Sequence, residues 1–165
     1  MIDRVCVAIA TGLYLSYIPT WFSRNTRLAR ERRWTGAGGV GTLLGWALFY
    51  GLPERGPALA WALAVAVAVA SAVSGRAEAR FGAHDDPRII IDEVVGYWVA
   101  VAWLPRTLPV LLAGVLVFRA LDVLKLPPWR SLERLPGGIG VVADDVGAGI
   151  AANLVLRVLG RLGLF

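Results

Sequence analysis

The sequence predicts an all-α membrane protein, a polytopic bundle of about four to five hydrophobic helices. Three observations carry this. The chain of 165 residues is 57% hydrophobic with mean hydropathy +0.62, too apolar for an ordinary soluble domain. Seven Trp in so short a chain suit membrane interfaces, where an amphipathic ring is at home. The run "ALAWALAVAVAVASAVS" (58–74) carries no charge and approaches the length of a span. Its Ala/Val alternation imitates a strand, but an open lipid-facing strand leaves its backbone unsatisfied, so helix is expected. The length suits one domain over residues 1–165.

Taken in order, "VCVAIATGLYLSYIPTWF" (5–22) is apolar but lacks a basic leader beyond Arg4 and a clear cleavage site. It is expected to be retained, as an interfacial helix or a weak first span. "SRNTRLARERR" follows, with Arg24, Arg27, Arg30, Arg32 and Arg33. Residues 1–35 thus read as an interfacial segment with an Arg-rich insertion, suited to an anionic membrane surface. "TGAGGVGTLLGWALFYGLP" is apolar and glycine-rich, and Gly41 and Gly45 form a GxxxG pair suited to close helix contact. "PERGP" turns the chain into the uncharged run, and the polar segment "GRAEARFGAHDDPR" follows it. "RIIIDEVVGYWVAVAWLP" (88–105) reads as a further span, "RTLP" as a turn, and "VLLAGVLVFRALDVLKL" as the return. The loop "PPWRSLERLPGGIG" leads to the last segment, "VVADDVGAGIAANLVLRVLGRLGLF".

Segments 24–33, 75–88 and 119–136 hold 12 of the 17 Lys and Arg, and the alternate turns hold only Arg55 and Arg106. The 12-residue side is therefore expected to be cytoplasmic. Arg157 and Arg161 would then leave on the other side, a mild conflict with that rule. Net charge +5 and pI near 10.1 fit anionic lipid better than nucleic acid, because the basic residues flank apolar segments. A single cysteine, Cys6, excludes an internal disulfide and a Cys-cluster metal site; a single histidine, His84, excludes a His-rich one. His84 reads as an acid–base group or, more blandly, as a solvated loop residue.

Seven carboxylates fall at the expected cytoplasmic ends of three segments: Asp85, Asp86, Asp92, Glu93, Asp122, Asp144 and Asp145. Ionisable groups at the lip of membrane segments are costly and usually functional. Acids converging from three elements make a cage for a hard divalent cation; Mg²⁺ takes oxygen ligands and keeps water and substrate phosphate in its shell. Asp92, Glu93, Asp122, Asp144 and Asp145 are the candidate ligands. Each also has a bland reading. Asp92 and Glu93 complement a helix dipole, Asp144 and Asp145 cap the last helix, and Arg119, Asp122 and Lys125 form an ion-pair ladder. Gly137, Gly138 and Gly140 permit close approach of backbone N–H groups to an anion. Arg119 offers a bidentate fork for phosphate and Lys125 a point charge. No Cys-based, DxDx[TV] or His-based phosphatase pattern occurs, so a phosphatase here works with carboxylates and metal.

"HDDPRIIIDEVVGYW", "FRALDVLKLPPW" and "GGIGVVADDVGAG" resemble the three signature blocks of the phosphatidylglycerophosphatase A family, in the family's order and across roughly residues 80–155. "IATG" (9–12) and "GVGTLLG" (39–45) are similar to its N-terminal elements. The resemblance implies a Mg²⁺-dependent phosphomonoesterase of the bacterial inner membrane that converts phosphatidylglycerophosphate to phosphatidylglycerol and phosphate. The family's acidic positions fall on Asp85, Asp92, Glu93, Asp122, Asp144 and Asp145, and its basic positions on Arg119 and Lys125. The chain departs from the pattern at Ala37-Gly38-Gly39, where the family has Pro-Gly-Thr, and at Leu126, where it has proline. An extra segment carrying the Arg cluster separates the two N-terminal elements. A phosphatase for another lipid phosphate and a cation-binding membrane transporter are the alternatives, although transporter sites lie nearer the midplane. The CDP-alcohol phosphotransferase pattern is absent. A soluble domain with a deep apolar core is opposed by the uncharged 59–74 run.

Overall fold

The protein is described by a computed structural model over residues 1–26, 35–124, 127 and 129–165. Arg27, Arg30, Arg32, Arg33 and Lys125 lie outside the described residues. The described residues form seven α-helices and no strand: α1 (Ile2–Ala10), α2 (Tyr17–Ser23), α3 (Ala37–Phe49), α4 (Gly56–Phe81), α5 (Ile91–Val101), α6 (Leu108–Leu124) and α7 (Gly138–Arg161). A 3-10 segment, Trp129–Arg134, precedes α7. The all-helical expectation holds; a bundle of four or five hydrophobic helices is not confirmed, because two of the expected segments are built differently.

The first is the N-terminus. Gly12, Leu13 and Tyr14 all have positive φ (59°, 55° and 67°), which interrupts the helix between α1 and α2. Residues 5–22 therefore fall on two short helices, neither long enough to span. The second is 88–105. α5 has only 11 residues, about 16 Å of helix against a hydrocarbon core of about 30 Å. Its apolar residues face protein instead: Val94, Val95, Tyr97, Ala100 and Val101 are all buried. A helix apolar all round belongs to a core as readily as to a bilayer.

Two helices are long and apolar enough to cross a membrane, α4 and α7. α4 starts at Gly56-Pro57, where proline's missing N–H costs nothing, and stops at Gly82, a left-handed C-cap. It runs through Gly75–Phe81, so half of the expected polar connector is helical. Trp61, Val65 and Val69 stand exposed at i, i+4 spacing along it, an apolar face of the kind a membrane-associated helix presents.

Glycines set the helix crossings. A Cβ on Gly45 would come within 3.0 Å of Val94 O, and one on Gly41 within 2.8 Å of Ile90 O, so the GxxxG pair seats α3 on α5 as expected. Gly96 of α5 and Gly149 of α7 meet backbone to backbone. α3, α5 and α7 start at one end of the bundle. α4 and α6 run the other way, as shown by the contacts Ala70–Val142 and Val101–Gly114. Tyr97, Phe118, Leu111 and Leu156 fill the core between α5, α6 and α7. At the far end Asn153 Nδ2 donates to the carbonyls of Val99, Ala100 and Ala102, satisfying the C-terminus of α5. Arg157 Nε donates to Asn153 Oδ1 at 2.7 Å, so this arginine has a protein partner.

Candidate active site

The shared starting end of α3, α5 and α7 is where the acids meet. Asp92 and Glu93 sit in the first turn of α5, and Asp145 in the second turn of α7. One oxygen of each lies within 4.8 Å of the other two. Asp92 and Asp145 are buried, at 6% and 4% exposure. Asp92 Oδ1 and Glu93 Oε2 are buried with no hydrogen-bond partner among the described residues. Carboxylates this close repel one another, and orphaned buried oxygens are costly. A hard cation would reverse both penalties, and an all-oxygen donor set fits Mg²⁺.

α6 closes the cluster from its C-terminal half. Arg119 Nη1 lies 2.5 Å from Asp122 Oδ2 and 3.7 Å from Glu93 Oε1. The ion-pair ladder is real at i, i+3, but it is no surface ladder: the Arg119 and Asp122 side chains are largely buried. Arg119 instead joins α6 to the acids of α5. The capping reading of Asp144 and Asp145 falls away. The N-cap of α7 is Gly137, so both acids lie nearly two turns inside the helix. Only the dipole reading of Asp92 and Glu93 survives, and it does not account for their orphaned oxygens.

The remaining expected residues stand around this core. Asp144 is buried on α7 but falls outside the group of three. Asp85 belongs to the loop before α5, in a left-handed conformation (φ 50°). Asp86 is taken up by Arg88, with Nε–Oδ1 and Nη2–Oδ2 both at 2.8 Å; that bond holds the Arg88 guanidinium above its ordinary pKa. Gly138 has a packing role: a Cβ there would fall on Ser71 O and Gly75 N of α4. Gly140 is buried, and Gly137 is open, with φ 62°. Lys125 lies outside the described residues.

Three residues acquire a place at the site only here. A Cβ on Gly38 would fall on Glu93 Oε1 and within 2.8 Å of both terminal nitrogens of Arg119, so α3's backbone is the floor under this pair. Gly41 does the same for Glu93 Cβ, at 3.1 Å. Glu78, buried near the end of α4, accepts from Asp85 N at 2.7 Å and pairs with His84 Nδ1 at 2.6 Å, tying down the loop before α5. The glycine-rich stretch at 37–45 was the available signal for Gly38. Nothing in the sequence marks Glu78, since a lone acid among arginines reads as solvated.

Comparison with known proteins adds to this geometry. A 35% identical relative from Escherichia coli, over 82 residues, is named phosphatidylglycerophosphatase A; the match covers 48% of each chain. Its Haemophilus influenzae namesake is 37% identical over 83 residues, 49% of this chain and 51% of that protein. A Bacteroides thetaiotaomicron protein, provisionally named a phosphatidylinositol-3-phosphatase, is 32% identical over 89 residues, 52% of this chain and 55% of its own. The chain thus spans about half the length of the curated relatives it matches. No solved structure matches it. The family model described as phosphatidylglycerophosphatase A matches residues 8–160. That range runs from the first helix almost to the end of the last and holds every acid of the cluster, and the chain belongs to the phosphatidylglycerophosphatase A family.

Proposed function

We propose that the chain is a Mg²⁺-dependent lipid phosphatase that hydrolyses the terminal phosphomonoester of phosphatidylglycerophosphate, giving phosphatidylglycerol and phosphate. The observation that carries this is the buried Asp92–Glu93–Asp145 group with Arg119 at its edge, in a chain of this family. In this reading those three carboxylates hold the cation, with Asp122 and Asp144 beside them. When bound, Mg²⁺ supplies Lewis-acid neutralisation of charge on the phosphoryl oxygens.

The chain's own groups supply orientation. Arg119 offers its guanidinium fork to the phosphate, and Glu93 and Asp122 keep that fork aimed. The first turns of α3 and α5 add the partial positive charge of helix N-termini. Asp85 and Lys125 remain candidates for the rim of the site. α4 and α7, together with the one-sided distribution of Lys and Arg, support a multi-pass location in the inner membrane, with the acids facing the cytoplasm.

The name of the Bacteroides relative favours one second reading, a different lipid phosphate as substrate. The test is phosphate release by the full chain in detergent micelles from phosphatidylglycerophosphate, phosphatidylinositol 3-phosphate and phosphatidic acid, with Mg²⁺ or EDTA. Mg²⁺-dependent release, fastest from phosphatidylglycerophosphate, is expected. Release from none of the three overturns the phosphatase. Release undiminished by EDTA overturns the metal, and a preference for the inositol lipid moves the substrate to the second reading.

A further inference from the structure

Away from the acids, residues of α1, the turn after it, the start of α2 and the last turn of α4 line an open cavity of about 570 Å³. Arg4, Arg80, Arg88, Tyr14, Tyr17 and Phe81 line it. None of these belongs to the carboxylate cluster or touches the chemistry proposed for it.

The charge of the cavity is not balanced from within. Arg88 is held by Asp86 and lies flat on Phe81, its Cζ 3.8 Å from the ring centroid, so it is a fixed wall. Arg4 and Arg80 make no ion pair among the described residues. Asp3, the acid on the lining, pairs weakly with Arg76 at 3.7 Å, outside the cavity. Two guanidinium groups without an anionic partner among the described residues, lining one open cavity, set a positive potential there and offer forks that match phosphate oxygens.

The surroundings specify how that phosphate arrives. Tyr14 and Tyr17 meet edge to face at 5.6 Å and are part-exposed, as amphipathic rings are at a bilayer surface. The same N-terminal segment exposes Leu13, Ile18, Trp21 and Phe22, an apolar surface that a free anion in water does not need. The cavity is also preformed. Ser16 Oγ donates to Arg88 O at 2.7 Å and Ile90 N donates to Ala10 O at 2.8 Å, so the N-terminal segment is bonded to the loop that carries Arg88.

We infer that this cavity is a headgroup site for an anionic phospholipid, separate from the carboxylate cluster, with the lipid phosphate between Arg4 and Arg80 and its acyl chains over the exposed apolar residues of α2 and the turn before it. The site anchors the N-terminal segment at the membrane surface, beside the chain that leads into Asp92.

The test is a binding titration of the full chain in detergent micelles without divalent metal. The probes are short-chain phosphatidylserine, short-chain phosphatidylcholine and glycerol 3-phosphate. Phosphatidylserine is a phosphodiester, so its binding is read independently of the phosphomonoester chemistry above. Saturable phosphatidylserine binding is expected, with the other two probes about tenfold weaker or more. Arg4→Gln/Arg80→Gln should lose about tenfold in phosphatidylserine affinity, Arg4→Lys/Arg80→Lys should lose less because it keeps the charge without the planar fork, and Asp92→Asn should keep it. Unchanged affinity in the Gln double variant overturns the site. Glycerol 3-phosphate binding as tightly as the lipid overturns the lipid and makes this a pocket for free phosphates; equal binding of phosphatidylcholine overturns recognition of net charge. Both arginines are at the surface, so the substitutions leave the core intact.

Discussion

Gly38 lies directly beneath Glu93: the space a side chain would occupy on α3 is filled by the Glu93 carboxylate and the Arg119 guanidinium. Gly39, one residue on, faces open space. The two glycines therefore separate helix propensity from site geometry. In Gly38→Ala the flexible ends of Glu93 and Arg119 shift, so phosphate release should fall about tenfold or more, with the fold kept. Gly39→Ala should leave turnover unchanged and raise stability by up to about 1 kcal/mol. Turnover assays beside thermal melts in detergent check both.

The acids of α7 should differ from each other. Asp145 belongs to the group of three and Asp144 does not. Asp92→Asn and Asp145→Asn should each cut phosphate release by about 100-fold or more and abolish stabilisation of the fold by Mg²⁺. Asp144→Asn should keep most of that stabilisation. Removing one of several crowded charges relieves repulsion, so the metal-free melting temperature of the first two variants should equal or exceed that of wild type. Thermal melts with and without Mg²⁺ read this directly. Wild-type turnover in Asp92→Asn would sink the assignment.

Arg119 is set between Glu93 and Asp122. Arg119→Gln should lower turnover about 100-fold, because it removes the fork and leaves two acids without their cation. Arg119→Lys restores the charge but not the planar pair of donors, so recovery should be partial. Kinetics over a range of substrate concentrations check whether the loss falls on kcat.

Gly138 and Asn153 should affect stability without touching the chemistry. A methyl on Gly138 meets the backbone of α4 at Ser71 and Gly75, which cannot move aside cheaply. Gly138→Ala should cost roughly 1–3 kcal/mol. Asn153→Ala frees the last carbonyls of α5 and should cost about 1–3 kcal/mol. In both, residual folded protein should bind Mg²⁺ as wild type does. Denaturation midpoints and Mg²⁺ titration of the folded fraction check this.

The helical class, the suitability of Gly41 and Gly45 for a close helix contact and the acids that could gather at one end were legible in the sequence, because each rests on local composition or short spacing. An uncharged Ala/Val run has few alternatives to helix, and the order of the three acidic blocks does not depend on how the helices pack. Tertiary structure decided the rest. It showed that 88–105 is a short buried helix, since apolar composition alone does not say whether lipid or protein covers a segment. It broke the N-terminus at Leu13 and Tyr14, two residues that do not favour the left-handed conformation they adopt. It also separated Asp145 from Asp144, which differ only in the direction each faces from α7, and it put Gly38 under Glu93. Sequence determines which groups a helix carries; which of them share a few ångströms of space depends on crossings set by residues far apart in the chain.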